Sequence, residues 1–502
     1  MYPHGTRGIN YARLERLADR GMLSLPAGES AHTTFWGWQL PVLLGGLLAV
    51  IASLFAWPIG TLIAANATAT FLYLGILVFR FYTIHRAEHV GATLIATASG
   101  EVGALEDSAL PVYTILCPLY REAGTVAQFI QGMRDLDYPF DKLDIRLLLE
   151  TDDLETQNAA CAAKASLGNP ESIQIVLVPD AQPRTKPKAC NYGLLGARGE
   201  YTVIYDAEDV PEPDQLKKAL VAFKRLPSSV VCVQAKLNYF NSDQNLLTRF
   251  FTAEYSMWFD LFLPGLFAVG APIPLGGTSN HFKTAALRQL GAWDPFNVAE
   301  DADLGMRIVR NGLDTAVIDS TTWEEANSRL GNWIRQRSRW VKGYMQTWLV
   351  AMRHPLRLLR TLGLWRFLCF QATVGGTPFV LLMNPVYWLL TLLYTLTAWG
   401  YVPLLFPTPV FVASLLAALV GNLMFIYLSM YGLLQRQRYD LVPLMFLSPL
   451  YWIFQSIAAW KALYQLITKP HYWEKTVHNL GHHTAPSLTQ DASLAAQLPE
   501  AA

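Results

Sequence analysis

The residues able to do chemistry in this 502-residue chain lie in short runs spread along its middle. Asp206-Ala-Glu208-Asp209 follows the β-rich run Tyr201–Tyr205. Carboxylates two apart at a strand end can turn toward one cation, and a hard ion such as Mg²⁺ or Mn²⁺ commonly takes one or two carboxylates completed by phosphate oxygens. The same run also reads as a solvated acidic turn opening a helix, because Pro211 and Pro213 follow. Glu150, Asp152 and Asp153 put three like charges within four positions, tolerable in water or beside a cation. For Asp153 a solvated loop is the simpler account. Lys186-Pro-Lys188-Ala-Cys-Asn191 offers a lysine as a point charge for a diphosphate. Glu300-Asp301 stands before the helix-patterned ADLGMRIVRNG, where a carboxylate taken alone reads as a cap. In Gln336-Arg337-Ser338-Arg339-Trp340, the side chains of Gln336, Arg339 and Trp340 share one helix face. An Arg beside a Trp can hold an anion and stack on a sugar ring. A second reading of this helix lays Trp333, Trp340 and Trp348 in lipid headgroups, with Arg335, Arg337 and Lys342 toward phosphates.

The rest of the chain must position these groups, and much of it is suited to lipid. Hydrophobic residues make up 52% and charged residues only 16%, against about 25% charged in soluble domains. Mean hydropathy is +0.23. Lys plus Arg and Asp plus Glu both total 39, and a chain with no net charge is a poor match for the phosphate backbone of nucleic acid. The cysteines number five, with no C-x-x-C pair, which points to reduced thiols. Residues 1–34 carry four arginines and no apolar core, so they do not read as a signal peptide.

Residues 35–57 are free of charge, long enough for the ~20 residues a span needs, and a second run over 58–79 ends at Arg80. Arginines at both outer ends put those ends in the cytoplasm and make 35–79 a hairpin. Apolar character returns over 367–398, read as an interfacial helix and then a span from about 378, interrupted at Gly375–Pro378. Another span is expected over 409–434, and 441–468 is either a full span or a re-entrant hairpin split by Pro449. The apolar stretch 257–277 holds Asp260 and three prolines, so it is expected as short helices against the membrane face of the soluble domain.

Between the membrane blocks, residues 86–360 have ordinary polarity. Strand-like runs at Val112–Cys117, Ile145–Leu149, Ile173–Val178 and Tyr201–Tyr205 alternate with helical spacing such as Glu122–Arg134. That alternation implies a mostly parallel sheet covered on both faces, with ligands at the carboxyl ends of its strands. The acidic runs fall at those ends.

Taken in order, the runs resemble glycosyltransferase family 2, in its membrane-embedded processive branch of cellulose, hyaluronan, chitin and poly-N-acetylglucosamine synthases. The matching residues are Pro118-Leu-Tyr-Arg-Glu122, Lys188-Ala-Cys-Asn191, Asp206-Ala-Glu208, Gly276-Gly-Thr-Ser-Asn280, Ala299-Glu-Asp301 and Gln336-Arg-Ser-Arg-Trp340, with Trp473-Glu-Lys-Thr-Val-His478 similar to a tail motif of related synthases. The resemblance implies an α/β GT-A domain, Rossmann-like and mostly parallel, inserted between transmembrane helices on the cytosolic face of a bacterial inner membrane. It implies that Tyr120 and Glu122, with Glu150 or Asp152, line the nucleoside pocket, that Lys188 and Arg339 lie near the diphosphate, and that Asp206 with Glu208 or Asp209 holds Mg²⁺ or Mn²⁺. Asp301 is then the base that deprotonates the acceptor, Trp340 meets the acceptor sugar, and Gln336 and Glu300 help to position it. A single base behind the acceptor gives inversion, hence a β-linkage from an α-linked donor.

Three positions depart from the family pattern. Glu150-Thr-Asp152-Asp153 stands for an Asp-Asp pair, Glu208 stands for the second Asp of the metal motif, and Ala299 replaces the Thr of T-E-D. The expected donor is UDP-glucose first and UDP-N-acetylglucosamine second. The expected partners are the growing polysaccharide, the bilayer and periplasmic or accessory export subunits. The expected divisions are a cytosolic segment 1–34, a transmembrane hairpin 35–84, the GT-A domain 85–360, C-terminal membrane and interfacial helices 361–470, and a tail 471–502 too short for a cyclic-di-GMP-binding domain. His478, His482 and His483 in that tail lack acidic partners for a metal site. The competing expectations are transfer of one sugar to a lipid-linked acceptor, or a non-catalytic receptor or secretion subunit.

Overall fold

A computed structural model describes residues 25–26, 28–95, 99–397 and 400–474. Most of the N-terminal segment, the three tail histidines and the end of the tail motif lie outside the described residues. The soluble region is built on strands β1 (Tyr113–Leu119), β2 (Leu143–Glu150), β3 (Ile173–Val178), β4 (Tyr201–Ile204), β5 (Val210–Pro211), β6 (Val230–Tyr239), β7 (Asn280–Lys283) and β8 (Asp314–Glu324). They form one sheet in the order β3-β2-β1-β4-β7-β6-β8-β5. Pairs β1–β2, β2–β3, β1–β4 and β6–β8 are parallel, while β7 lies antiparallel between β4 and β6. This is a Rossmann-like GT-A sheet. Strand β2 is buried at all eight positions and β1 at six of seven, as expected of parallel strands covered on both faces. The four N-terminal strands fall where the sequence places them, within two residues.

Among the described residues, five helices are long and apolar enough to cross a membrane: Gln39–Ala56, Pro58–Ala87, Pro355–Thr397, Thr408–Gln435 and Val442–Thr468. Many of their leucines, valines and aromatic rings face outward, with Leu48 and Leu62 at 65% and 43% exposure, which only an apolar solvent favours. The interruption expected at Gly375–Pro378 is a π-helical turn, Gln371–Gly375, and the helix runs on through it. The sharper break is earlier, at Gly363, whose φ of 73° only a glycine takes easily. Residues 257–277 form a π turn (Met257–Phe262) and a short helix (Leu263–Ala268), buried against the hairpin's second helix. Gly265 permits that packing, because a Cβ there would stand 2.2 Å from the Thr83 carbonyl oxygen.

The last apolar helix, Ser448–Thr468, packs against the soluble region as well as against the membrane helix Gly376–Thr397. Tyr451 near its start packs on Trp333 and Phe250, and Ala459, Ala462 and Leu466 pack on Val341, Met345 and Leu349. Just after its end, the carbonyls of Tyr472 and Pro470 accept bonds from Lys342 (2.8 Å) and Gln346 (3.0 Å). Both ends thus lie against the helix Leu330–Ala351, the side-by-side arrangement that small residues such as alanine allow. This corrects the headgroup reading of that helix: Trp333 is fully buried, and Lys342 is buried on backbone carbonyls.

Candidate active site

One cavity of about 550 Å³ runs from the carboxyl ends of β1, β2 and β4 toward the membrane helices. Tyr120, Glu122, Glu150, Asp206, Glu208, Glu300, Asp301, Gln336, Arg339 and Trp340 all line it. Residues separated by up to 220 positions therefore meet in one space.

The loop after β1 is set by the helix Leu154–Ser166. Asp153 caps that helix, bonding the Thr156 amide at 3.3 Å, and its other oxygen takes the Arg121 amide. Thr156 in turn accepts the Glu122 amide at 3.1 Å. Asp153 is buried and holds Tyr120 and Glu122 in place, which corrects its reading as a solvated loop acid. Asp152 does not line the cavity itself but pairs at 2.8 Å with Arg184, which does, leaving Glu150 as the lining acid of this strand end.

At the end of β4, Asp206 and Glu208 face the cavity, but Asp209 does not. Asp209 is buried behind the turn, where Oδ2 accepts the Asp206 amide (2.7 Å) and the Thr278 hydroxyl. Burial, then repulsion by Asp206, Glu324 and Glu208, pushes its carboxyl well above the usual range, and Oδ1 is buried without a partner. The turn is short of positive charge.

Lys186, not Lys188, supplies the cation already there. Its Nζ pairs with Asp206 at 2.5 Å and donates to the Gly277 carbonyl at 2.7 Å. Burial opposes its charge, yet Asp206 and Glu300 hold its pKa above the ordinary lysine value. Lys188 reaches the carbonyls of Pro179 (2.9 Å) and Ala181 (3.0 Å), with Glu150 at 3.4 Å, and is not among the lining residues. Positions 186 and 188 are about 200° apart on the helix Lys186–Leu195, so the two lysines point to different strands.

Glu300 and Asp301 open the helix Glu300–Arg310. The Ala302 amide donates to Asp301 Oδ1 at 2.7 Å, and Oδ2 lies over Gly277. Burial and the Asp301 charge push the Glu300 carboxyl up to about 8. Burial raises Asp301 as well, against the Ala302 amide, Lys186 and Arg339. Gly343 lets the Gln336–Trp340 helix come this close, because a Cβ there would stand 2.2 Å from that of Ala299. Arg339 stacks on Trp473 at 4.4 Å, and its buried Nε has no partner. Gln336 accepts from Asn327 at 2.8 Å, and Trp340 is half-buried against Phe251 and Tyr255.

Sequence reasoning passed over Lys186, Arg80, Glu254 and Arg337 as lining residues. Arg337 is held by both Glu254 oxygens (2.6 and 2.5 Å) and lies over Trp340 at 4.7 Å. Only its place next to Arg339 in the Q-R-S-R-W run signalled it.

For a metal, the donors fit a hard divalent cation. Asp206 and Glu208 offer oxygens only, and the orphaned Asp209 oxygen shows the same deficit of positive charge. Among the described residues no three-ligand cluster of His, Cys, Asp or Glu is preformed. A magnesium-type ion does not require one, because phosphate and water fill its remaining positions.

The sequence model for Glycosyl transferase family 2 matches residues 114–279, and that for Glycosyl transferase family group 2 matches residues 201–460. The probable glycosyltransferase YdaM of Bacillus subtilis (strain 168) is 24% identical over 57% of this chain and 68% of its own length. Probable glucomannan 4-beta-mannosyltransferase 7 of Oryza sativa subsp. japonica is 27% identical over 46% of this chain. The match spans only 40% of that relative. Among solved structures, the mannosyltransferase PcManGT from Pyrobaculum calidifontis, in complex with GDP-Man and Mn²⁺, aligns with 20% identity and a TM-score of 0.43 over 71% of this chain and 98% of that one. Because a family model covers more than half of its length, the chain belongs to glycosyl transferase family group 2 and is a family 2 glycosyltransferase.

Proposed function

We propose that the chain is an inverting, metal-dependent synthase that polymerises a β-linked polysaccharide from a nucleotide-diphosphate sugar and passes it across a bacterial cytoplasmic membrane. The observation that carries this reading is a pair of cavities sharing Trp452. The first holds Asp206, Asp301 and Trp340, and the second lies among the membrane helices. Tyr73, Tyr387, Trp388, Tyr394, Asn384 and Asn422 line the second one. Flat rings interleaved with amides suit a neutral sugar chain, which stacks on its apolar faces and hydrogen-bonds at its edges. The matched plant relative, named for a 4-beta-mannosyl transfer to glucomannan, supports a β-linked polymer as product.

In this reading Tyr120, Glu122 and Glu150 surround the nucleoside. Asp206 and Glu208 hold a Mg²⁺ or Mn²⁺ ion, which when bound offsets charge on the departing diphosphate. Lys186 and Arg339 flank the same oxygens, with Lys188 supporting Glu150 from behind. Asp301 takes the proton of the acceptor hydroxyl, and Trp340, Gln336 and Glu300 hold the acceptor sugar above it. The catalytic domain and residue 474 lie on the cytosolic side, a placement favoured by the two ends of Ser448–Thr468 against Leu330–Ala351. UDP-glucose is the proposed donor.

The lysine assignment has a direct test. Lys186→Met removes the cation beside Asp206 and is expected to raise the KM for nucleotide sugar at least tenfold, whereas Lys188→Met changes it less. Steady-state kinetics on both variants decides, and equal effects would return Lys188 to the diphosphate. The function itself is tested by a donor screen. Purified full chain with Mn²⁺ and labelled UDP-glucose should place label in high-molecular-weight product. Label confined to the lipid extract would instead assign single transfer to a lipid-linked acceptor.

A further inference from the structure

The wall of the catalytic cavity contains an ion pair to which the reaction described above gives no part. Arg337 donates from Nη1 to Glu254 Oε1 at 2.6 Å and from Nη2 to Glu254 Oε2 at 2.5 Å. The Tyr451 hydroxyl donates to the same Oε2 at 2.7 Å. All three residues line the cavity, and Tyr451 is buried. Both Nη atoms of Arg337 are engaged by one carboxylate, so this arginine is spoken for before any diphosphate arrives.

The rings around the pair show what it holds. The guanidinium carbon lies 4.7 Å from the Trp340 ring centre, 4.6 Å from that of Phe251 and 5.2 Å from that of Trp333. Positions 337 and 340 are one turn apart, so the two side chains share a helix face. A planar cation bound to a carboxylate at two points is held against rotation, and an aromatic face is drawn toward it. The Trp340 ring therefore rests on a cation whose own position is fixed. Phe251 and Tyr255 meet the same ring at 6.1 and 6.3 Å in tilted contacts. Those contacts are apolar and carry little direction. A buried ion pair is a poor source of stability, because apolar side chains of similar volume would often serve as well. Fixed geometry is what it adds here.

Tyr451 ties this geometry to the membrane. It stands on the helix Ser448–Thr468, with its ring against Phe250 at 5.3 Å and Trp333 at 5.1 Å. The next residue, Trp452, is the wall shared by the catalytic and membrane cavities. From that wall to Trp340 the path runs through Tyr451, Glu254 and Arg337, each hydrogen-bonded to the next.

We propose that Tyr451, Glu254 and Arg337 are positioning residues that keep the Trp340 ring aligned with the passage past Trp452, and so set how firmly the chain end is held between additions. The inference rests on the polymer reading, in which Trp340 meets the acceptor sugar. Product length is the readout, because it follows the ratio of addition to release. A defect that merely lowers the amount of folded enzyme leaves that ratio alone. Glu254→Gln keeps the side-chain shape and strands the Arg337 charge, while Tyr451→Phe keeps the ring and removes only the hydroxyl. With purified full chain, Mn²⁺ and the donor selected by the screen above, Glu254→Gln is expected to shorten the mean product about tenfold and Tyr451→Phe about threefold, through faster release. Arg337→Lys keeps the charge but not the planar fork, and should behave like Glu254→Gln. The KM for donor should be unchanged in all three. A second measurement needs no turnover. With 5-fluorotryptophan at position 340, the wild-type chain should give one narrow fluorine resonance, broadened or split in Glu254→Gln and in Tyr451→Phe. If the wild-type chain makes no polymer, the polymer reading fails and the resonance alone decides whether these residues fix Trp340. A resonance unchanged in both variants, or products of wild-type length from them, would overturn the proposal.

Discussion

Asp301→Asn is expected to lower the transfer rate by about a thousandfold, within the range a positioned general base contributes. Nucleotide-sugar binding should stay close to wild type, because the asparagine keeps the shape and the Ala302 amide bond while losing only proton affinity. The pH profile follows from the same pair. Burial and the Asp301 charge push Glu300 up to about 8, and burial raises Asp301 too. A base must be ionised to act, so activity should rise with pH through this coupled titration and fall on the acid side. Glu300→Gln leaves in place the burial that raises Asp301, so the acid limb should stay where it is in wild type. Rate against pH for wild type and both variants checks all three statements. An Asp301→Asn enzyme with wild-type turnover would remove the base from Asp301.

The second large effect is expected at Asp206. Its carboxylate is the one at the β4 turn that both faces the cavity and pairs with Lys186. Asp206→Asn removes a charged oxygen from the proposed ion site and strands the Lys186 ammonium. Activity should fall by about two to three orders of magnitude, the scale of several kcal/mol of charge stabilisation. The Mn²⁺ concentration for half-maximal activity should rise at least tenfold. A Mn²⁺ titration of residual activity separates this from a simple loss of fold. An unchanged Mn²⁺ midpoint would mean that the ion sits elsewhere, with Glu208 as the next ligand to examine.

What the sequence showed and what it hid follow from the range of each interaction. Strands β1 to β4 were legible because each is a short β-rich run, and three of them lead straight into the acids or the loop that line the cavity. Strands β5 and β7 gave no such pattern: β5 has two residues, and β7 carries Asn280 and His281 and lies antiparallel between β4 and β6. The choice between Lys186 and Lys188 turned on where their helix begins. Asp153 seemed to be one acid of a solvated loop because its partners, the amides of Arg121 and Thr156, lie in different elements. The helix Leu330–Ala351 is amphipathic in either account, since an apolar face bound for lipid has the same periodicity as one bound for another helix. Its partner begins more than a hundred residues later, at Ser448.

The central claim is one base, one displacement and inversion at the anomeric carbon, and product stereochemistry measures it most directly. Donor labelled with ¹³C at the anomeric carbon and α-linked to the diphosphate should be turned over by the purified full chain with Mn²⁺. The one-bond carbon–proton coupling at the new linkage should be that of a β-glycoside. An α-glycoside would contradict the account, because it requires a second displacement and a nucleophile that the Asp301 arrangement does not provide.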